Sequence, residues 1–120
     1  MQSIDEALDR LSHSKFRSSF HLNQKEKEYI AEKGRDLIER HARDFVKTKL
    51  SAADPINDGK QTPMKGHPVF KAMHATACCC RGCMNKWYHV PKHTELNEIQ
   101  QEKIVGLLMA WIDSQGEKDE

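Results

Sequence analysis

NDGKQTPMKGHPVFKAMHATACCCRGCMNKW, residues 57–87, is the stretch on which the reading of the whole chain turns. It opens as turn chemistry, with Asn57-Asp58-Gly59, then Pro63 and Gly66, residue types that favour bent backbone. From Pro68 it becomes apolar. Proline suits the first position of a helix, where its missing N–H is not needed. Val69, Phe70, Met73 and Ala77 then share one face at about 100° per residue, and His67, Lys71, His74 and Cys78 share another. The segment ends in Cys78-Cys79-Cys80-Arg81-Gly82-Cys83, which holds all four cysteines of the chain. A long polar loop over 51–66 therefore feeds a short helix and a cysteine-rich junction.

The flanking segments read as helices that pack around this junction. Ser3 is an N-cap, with Glu6 three residues on as its capping-box partner, and Ile4, Leu8 and Leu11 fall on one face. Phe16 and Phe20, four apart, form a turn that docks two rings in the core. Asn23 followed by Glu26 opens a second helical stretch running to Leu50, with Ile30, Leu37, Ile38, Ala42, Phe45 and Val46 as its buried stripe. Gly34 interrupts that stripe and marks a helix end. Its acids and bases alternate, the pattern of a solvated face with i,i+4 pairs. Beyond Pro91, a last helix spans Asn97 to Gln115, with Ile104, Leu107, Leu108, Trp111 and Ile112 inward and Gly116 as a stop. Residues 117–120 are expected to fray. There is no strand pattern, so the expected fold is mainly α: one compact domain over 1–120 with about four or five helices.

Composition limits the functions. The chain has 120 residues, 38% apolar and 31% charged, with 19 bases against 18 acids and a formal net charge of +1. That balance gives no bulk attraction to nucleic acid or to an anionic membrane, and leaves nucleic acid only weakly supported. No apolar run reaches the roughly 20 residues of a membrane span. The acidic, amphipathic start MQSIDEALDRL is unlike a signal peptide. The expected location is the cytoplasm, where clustered cysteines serve as metal ligands or reactive thiols.

Zinc takes four thiolate or imidazole ligands in a tetrahedron. Cys80-x-x-Cys83 is a half-site, with Gly82 easing the turn, and Cys79 and His74 are the nearest further donors, so the expected metal set is Cys79, Cys80, Cys83 and His74. An iron–sulfur cluster would need all four cysteines on one centre, three of them consecutive. A thiol- or metal-dependent enzyme, hydrolase-like, is the alternative: Cys80 as nucleophile, its pKa lowered near Arg81 or a helix N-terminus, and His74 or His67 as base. The bland reading is thiols that pack a helix junction. His41, four residues from both Leu37 and Phe45, is either a buried, satisfied histidine or a site residue facing the cysteines. Asp58, Lys60, Gln61, Thr62 and His67, with His41, are read as a polar surface for a small anionic ligand or a protein partner. Gly59-Lys60-Gln61-Thr62 is not a P-loop, because the earlier glycine and the preceding strand are missing.

Arg40-His41-Ala42-Arg43-Asp44-Phe45, Asn57 through Pro63, Gly66-His67-Pro68-Val69-Phe70, His74-Ala75-Thr76 and Cys79-Cys80-Arg81-Gly82-Cys83 together resemble an uncharacterised bacterial family, domain of unknown function 4186. The resemblance covers nearly the whole chain and implies no activity. It implies that Cys79, Cys80 and Cys83 belong to the family pattern and that Cys78 need not. It also places a histidine after Trp87, where this chain has Tyr88, with His89 one residue later.

Overall fold

Asparagine caps open two of the helices at the positions read from the sequence. Asn23 Oδ1 accepts from the Glu26 N–H at 2.8 Å, and Glu26 Oε1 accepts from the Asn23 N–H at 2.9 Å. Asn97 and Gln100 repeat the arrangement at 2.8 and 2.9 Å. Ser3 caps the first helix through the Glu6 N–H, while the Glu6 carboxylate accepts from the Ser3 hydroxyl. Each such cap contributes about 1 kcal/mol by satisfying N–H groups that have no helical partner.

The structure is a computed structural model that describes residues 3–55 and 59–117. The described residues form six α-helices and no strand: α1 (Ile4–Ser12), α2 (Gln24–Lys33), α3 (Arg35–Phe45), α4 (Pro68–Ala75), α5 (Arg81–Tyr88) and α6 (Glu98–Glu117). A 3-10 turn, Arg17–Ser19, follows α1, and α3 runs on into a π-helical turn, Val46–Leu50. The mainly α reading holds. The helix count rises to six because Gly34 divides the stretch after Asn23 into α2 and α3. Gly34 has φ 88° and ψ 144°, a backbone region open almost only to glycine. α6 continues through Gly116, which was expected to stop it. The expected frayed tail beyond Glu117 lies outside the described residues.

α6 is the central element. It buries Ile104, Val105, Leu107, Leu108, Met109, Trp111 and Ile112, so it is apolar around most of its circumference. Against it pack Ala7 and Leu11 of α1, Ile38 and Ala42 of α3 with Val46 and Leu50 after it, and Val69, Ala72 and Met73 of α4. Burying each large side chain contributes about 1.5–3 kcal/mol. α2 has no buried residue and lays Tyr29 and Ile30 on the outside of this cluster. The alternating charges of α3 do form i,i+4 pairs, Glu39 with Arg35 and Arg43, but the closer pairs cross to α6: Arg35–Asp113 at 2.9 Å and Arg43–Glu102 at 2.8 Å. None of the described helices is long and apolar enough to cross a membrane.

The α2–α3 junction makes a direct prediction. Gly34→Ala meets no atom within 4 Å, so any cost comes from backbone strain alone. Urea unfolding should show a loss of about 1–3 kcal/mol. An unchanged midpoint would mean that the junction relaxes freely.

Candidate metal centre

The chain reverses sharply between α4 and α5, and that reversal gathers three sulfurs. Ala77 sits at φ 60°, a left-handed conformation uncommon for a residue with a Cβ. The Cys78 N–H is tied back to Met73 O at 2.8 Å. Cys80 is extended (φ −159°) and is the N-cap of α5, its sulfur accepting from the Cys83 N–H at 3.4 Å. That cap places Cys83 directly over Cys80. The sulfurs of Cys79, Cys80 and Cys83 all lie within 4.8 Å of one another. Cys79 and Cys80 are buried and Cys83 is half-buried.

The sulfurs have a cation. Arg17, from the 3-10 turn, is buried, and its guanidinium donates to Cys83 Sγ at 3.3 Å, to Cys79 Sγ at 3.7 Å and to the carbonyl of His74 at 2.7 Å. No carboxylate of the described residues pairs with it. Burial works against its charge, yet the hydrogen bonds and the charge of Cys79 and Cys83 outweigh that and raise its pKa. A buried guanidinium needs a negative partner, because an unpaired buried charge costs several kcal/mol. The cysteine cluster is the group in reach. Nothing in the sequence singled out Arg17; only its place beside Phe16 and Phe20 hinted at a docked segment.

The other expected site residues sort around this centre. Cys78 is fully buried, its thiol pushed up to about 12 by burial and aimed at Thr76 O, so it is a packing group. His74 does not join the three sulfurs. Its Nε2 faces the carbonyls of Thr62 and Pro63 at 3.1 and 3.2 Å, and its ring stacks on Phe20. Arg81 does not serve the thiols either. It is buried and donates to four carbonyls, those of Leu50, Ala52, Pro91 and Thr94, so it clamps the loops on both sides of the junction. Tyr88 is buried with its hydroxyl on Thr76 O, and the exposed His89 closes α5 at φ 57°. Burial raises the thiol pKa of Cys80, against the helix N–H bond from Cys83 that lowers it.

The polar surface expected over 58–67 is divided. Asp58 lies outside the described residues, and Lys60 is exposed. Gln61 and Thr62 are buried, against expectation. Gln61 folds back onto the Gly59 N–H at 2.9 Å, and the Thr62 hydroxyl donates to Cys79 O at 2.8 Å, which fixes the cysteine backbone. His67 is the N-cap of α4, its Nδ1 accepting from the Val69 N–H at 3.0 Å. The proton of the neutral ring is therefore on Nε2, 2.9 Å from His41 Nδ1. His41 thus faces His67 and not the cysteines. Tyr29, Phe45 and Phe70 surround the His67 ring at 5.1–5.8 Å. On its outer side His67 lines a cleft of about 690 Å³ with Tyr29 of α2 and Met64, Lys65 and Lys71.

The sequence model of one family, described as Domain of unknown function (DUF4186), matches residues 5–113. No solved structure matches the chain.

Two predictions follow from these contacts. Thr62→Val removes the hydroxyl bonded to Cys79 O and should cost about 1–3 kcal/mol, whereas Lys60→Ala should stay within about 0.5 kcal/mol. Equal costs would place Thr62 on the surface after all. For the histidine pair, burial first, and then the charge of His41, lowers the His67 pKa from 6.5 to about 4. Between those values the unfolded chain binds the proton and the folded chain does not. This share of stability is therefore complete above about pH 6.5 and declines as pH falls toward 4. The wild type's advantage over His67→Gln, measured by urea unfolding, should shrink across that window; a difference independent of pH would contradict it.

Proposed function

The chain belongs to the DUF4186 family, a domain of unknown function, and from that premise we propose that it is a small zinc-binding protein whose metal is structural and is held by Cys79, Cys80 and Cys83. The observation that carries this reading is the trio of sulfurs backed by Arg17. In a tetrahedral zinc site, sulfurs about 2.3 Å from the metal lie about 3.8 Å apart. The three here already lie within 4.8 Å of one another, so closure needs shifts of about 1 Å. Charge agrees as well. Ligating thiols are deprotonated, and a dication with three thiolates leaves one negative charge, which Arg17 neutralises. A neutral centre is the form in which buried charges are tolerated.

The structural role rests on what the cluster joins. Arg17 brings the 3-10 turn to it, Thr62 brings the loop, and Cys80 and Cys83 form the start of α5. A metal there would lock the 79–83 turn to which the 3-10 turn and the loop are hydrogen-bonded, an added constraint in a chain of this size. The fourth position falls to a nitrogen or oxygen donor from outside the trio. Reduced thiolates of this kind belong to a reducing compartment, in this reading the cytoplasm. A role in binding a small anion has its support elsewhere, in the α2–α4 cleft, where Lys65 and Lys71 stand beside His67 and Tyr29.

Metal analysis of protein purified under reducing conditions tests the proposal. About one zinc per chain is expected, with Cys80→Ser and Cys83→Ser abolishing it, because a hydroxyl is a poor zinc ligand. Cys78→Ser and His74→Ala should keep the metal. Chelation should lower the melting temperature by about 10 °C or more. Protein without stoichiometric metal, whose CxxC variants melt like the wild type, would sink the reading.

A further inference from the structure

Cys80 and Cys83 sit at the start of a helix in a geometry suited to a second bond. Cys80 is the N-cap and Cys83 the third helical residue, so their side chains share one side of the first turn, with the Cys83 N–H 3.4 Å from Cys80 Sγ. Their sulfurs are within 4.8 Å, and a disulfide needs them at about 2.05 Å, a closure that the side-chain torsions of two residues three apart can supply. Pairings of Cys79 with Cys80, or of any thiol with Cys78, are poorer, which leaves Cys79–Cys83 as the one rival link. Cys79 and Cys80 are adjacent in sequence and would pair only with strain. Cys78 is fully buried and bonded to Thr76 O. Cys83 is the most exposed of the four thiols, hence the one that a dissolved oxidant reaches first.

We propose that Cys80 and Cys83 are a reversible thiol–disulfide couple, and that its oxidation releases the Arg17 segment. The oxidant is a hydroperoxide. The Cys83 thiolate attacks the terminal oxygen; an S–O bond forms, the O–O bond breaks, and the departing alkoxide takes a proton to become an alcohol. The Cys80 thiolate then attacks the Cys83 sulfur; the S–S bond forms, the S–O bond breaks, and hydroxide leaves as water after protonation. Two thiolates lose two electrons, and the peroxide gains them. A bound dication is unchanged in oxidation state and loses two of its three sulfur ligands.

The consequence follows from the cation. In the reduced protein Arg17 has Cys83 at 3.3 Å and Cys79 at 3.7 Å as its sulfur partners, with no carboxylate among the described residues to replace them. A disulfide carries no charge. Oxidation therefore removes the nearer sulfur as a potential thiolate partner and leaves the guanidinium with Cys79, at the longer distance, His74 O and the Phe16 ring at 5.0 Å. Besides the bonds within 14–20, such as Ser18 N–H to Ser14 O, the segment is held by Phe20, whose ring stacks on His74 at 5.8 Å. Phe16 is already 57% exposed. The turn around Arg17 is thus the part that loosens, and loosening it bares Phe20 and the sulfur cluster.

The inference goes beyond the metal reading and does not depend on it. The test uses the full chain as purified, treated with tert-butyl hydroperoxide, then alkylated and mapped by mass spectrometry, with amide hydrogen exchange followed in parallel. The expected result is a loss of two hydrogens localised to a Cys80–Cys83 link, exchange over residues 14–20 faster by about tenfold or more with α3 and α6 unchanged, and reversal by dithiothreitol. Cys78→Ser should behave as wild type, and Arg17→Leu should form the link yet exchange quickly over 14–20 even when reduced. A link through Cys79, direct passage to sulfinic acid, or a rise in exchange spread equally over all helices would overturn the proposal. Metal content separates the two readings. Link formation in protein that never held metal sinks only the zinc proposal, and bound zinc in protein that forms no link sinks only the redox couple.

Discussion

A buried guanidinium against two of three clustered sulfurs is the interaction on which this structure most depends. Arg17 has little solvent and, among the described residues, no carboxylate beside it; two cysteine sulfurs and the His74 carbonyl take its donors. That requirement fixes several other features. The 3-10 turn after α1 must lie across the α4–α5 junction. The His74 carbonyl must point inward to take the third donor contact. A dication bound by three thiolates would carry the single negative charge that Arg17 matches. The fold places a cation where the chemistry of the cysteines needs one.

A second buried arginine does the mechanical work that the first does not. Arg81 lies between two cysteines in sequence, yet it turns away from the sulfurs and spans carbonyls from both loops that flank the junction. Leu50 and Ala52 belong to the chain entering the long loop, Pro91 and Thr94 to the chain leaving α5. With Thr62 holding Cys79 O, these bonds fix the backbone of the cysteine segment before any metal is considered. The sulfurs are therefore pre-positioned, and a ligand added to them would need little reorganisation of the chain.

Much of the fold was legible because its signals are local. Asn23, Ser3 and Asn97 cap where their side chains can reach an N–H three residues on, and Gly34 breaks the run because of its own backbone freedom. The cysteine trio was legible as well, since CxxC spacing at a helix start is a short-range geometry. Long-range choices were not. The sequence around Arg81 suggests a cation beside thiols, but the same chemistry is met by Arg17, 62 residues before Cys79, through the packing of its 3-10 turn against α4. Gln61 and Thr62 read as a polar loop because nothing nearby shows that Cys79 O will need a donor. His74 read as a ligand from its i,i+4 spacing, yet the loop carbonyls of Thr62 and Pro63 claim its ring. The His41–His67 pair joins two helices 26 residues apart, a contact that periodicity alone does not reveal.

The most direct test of the central claim is X-ray absorption at the zinc edge of the purified, reduced protein. The account predicts three sulfur neighbours at about 2.3 Å and one nitrogen or oxygen at about 2.0–2.1 Å. Arg17→Leu should weaken the occupancy of the site without changing the identity of its sulfurs. A shell of four sulfurs would bring Cys78 into the site and contradict its burial as a packing group, and a shell without sulfur would remove the cysteine cluster from the metal altogether.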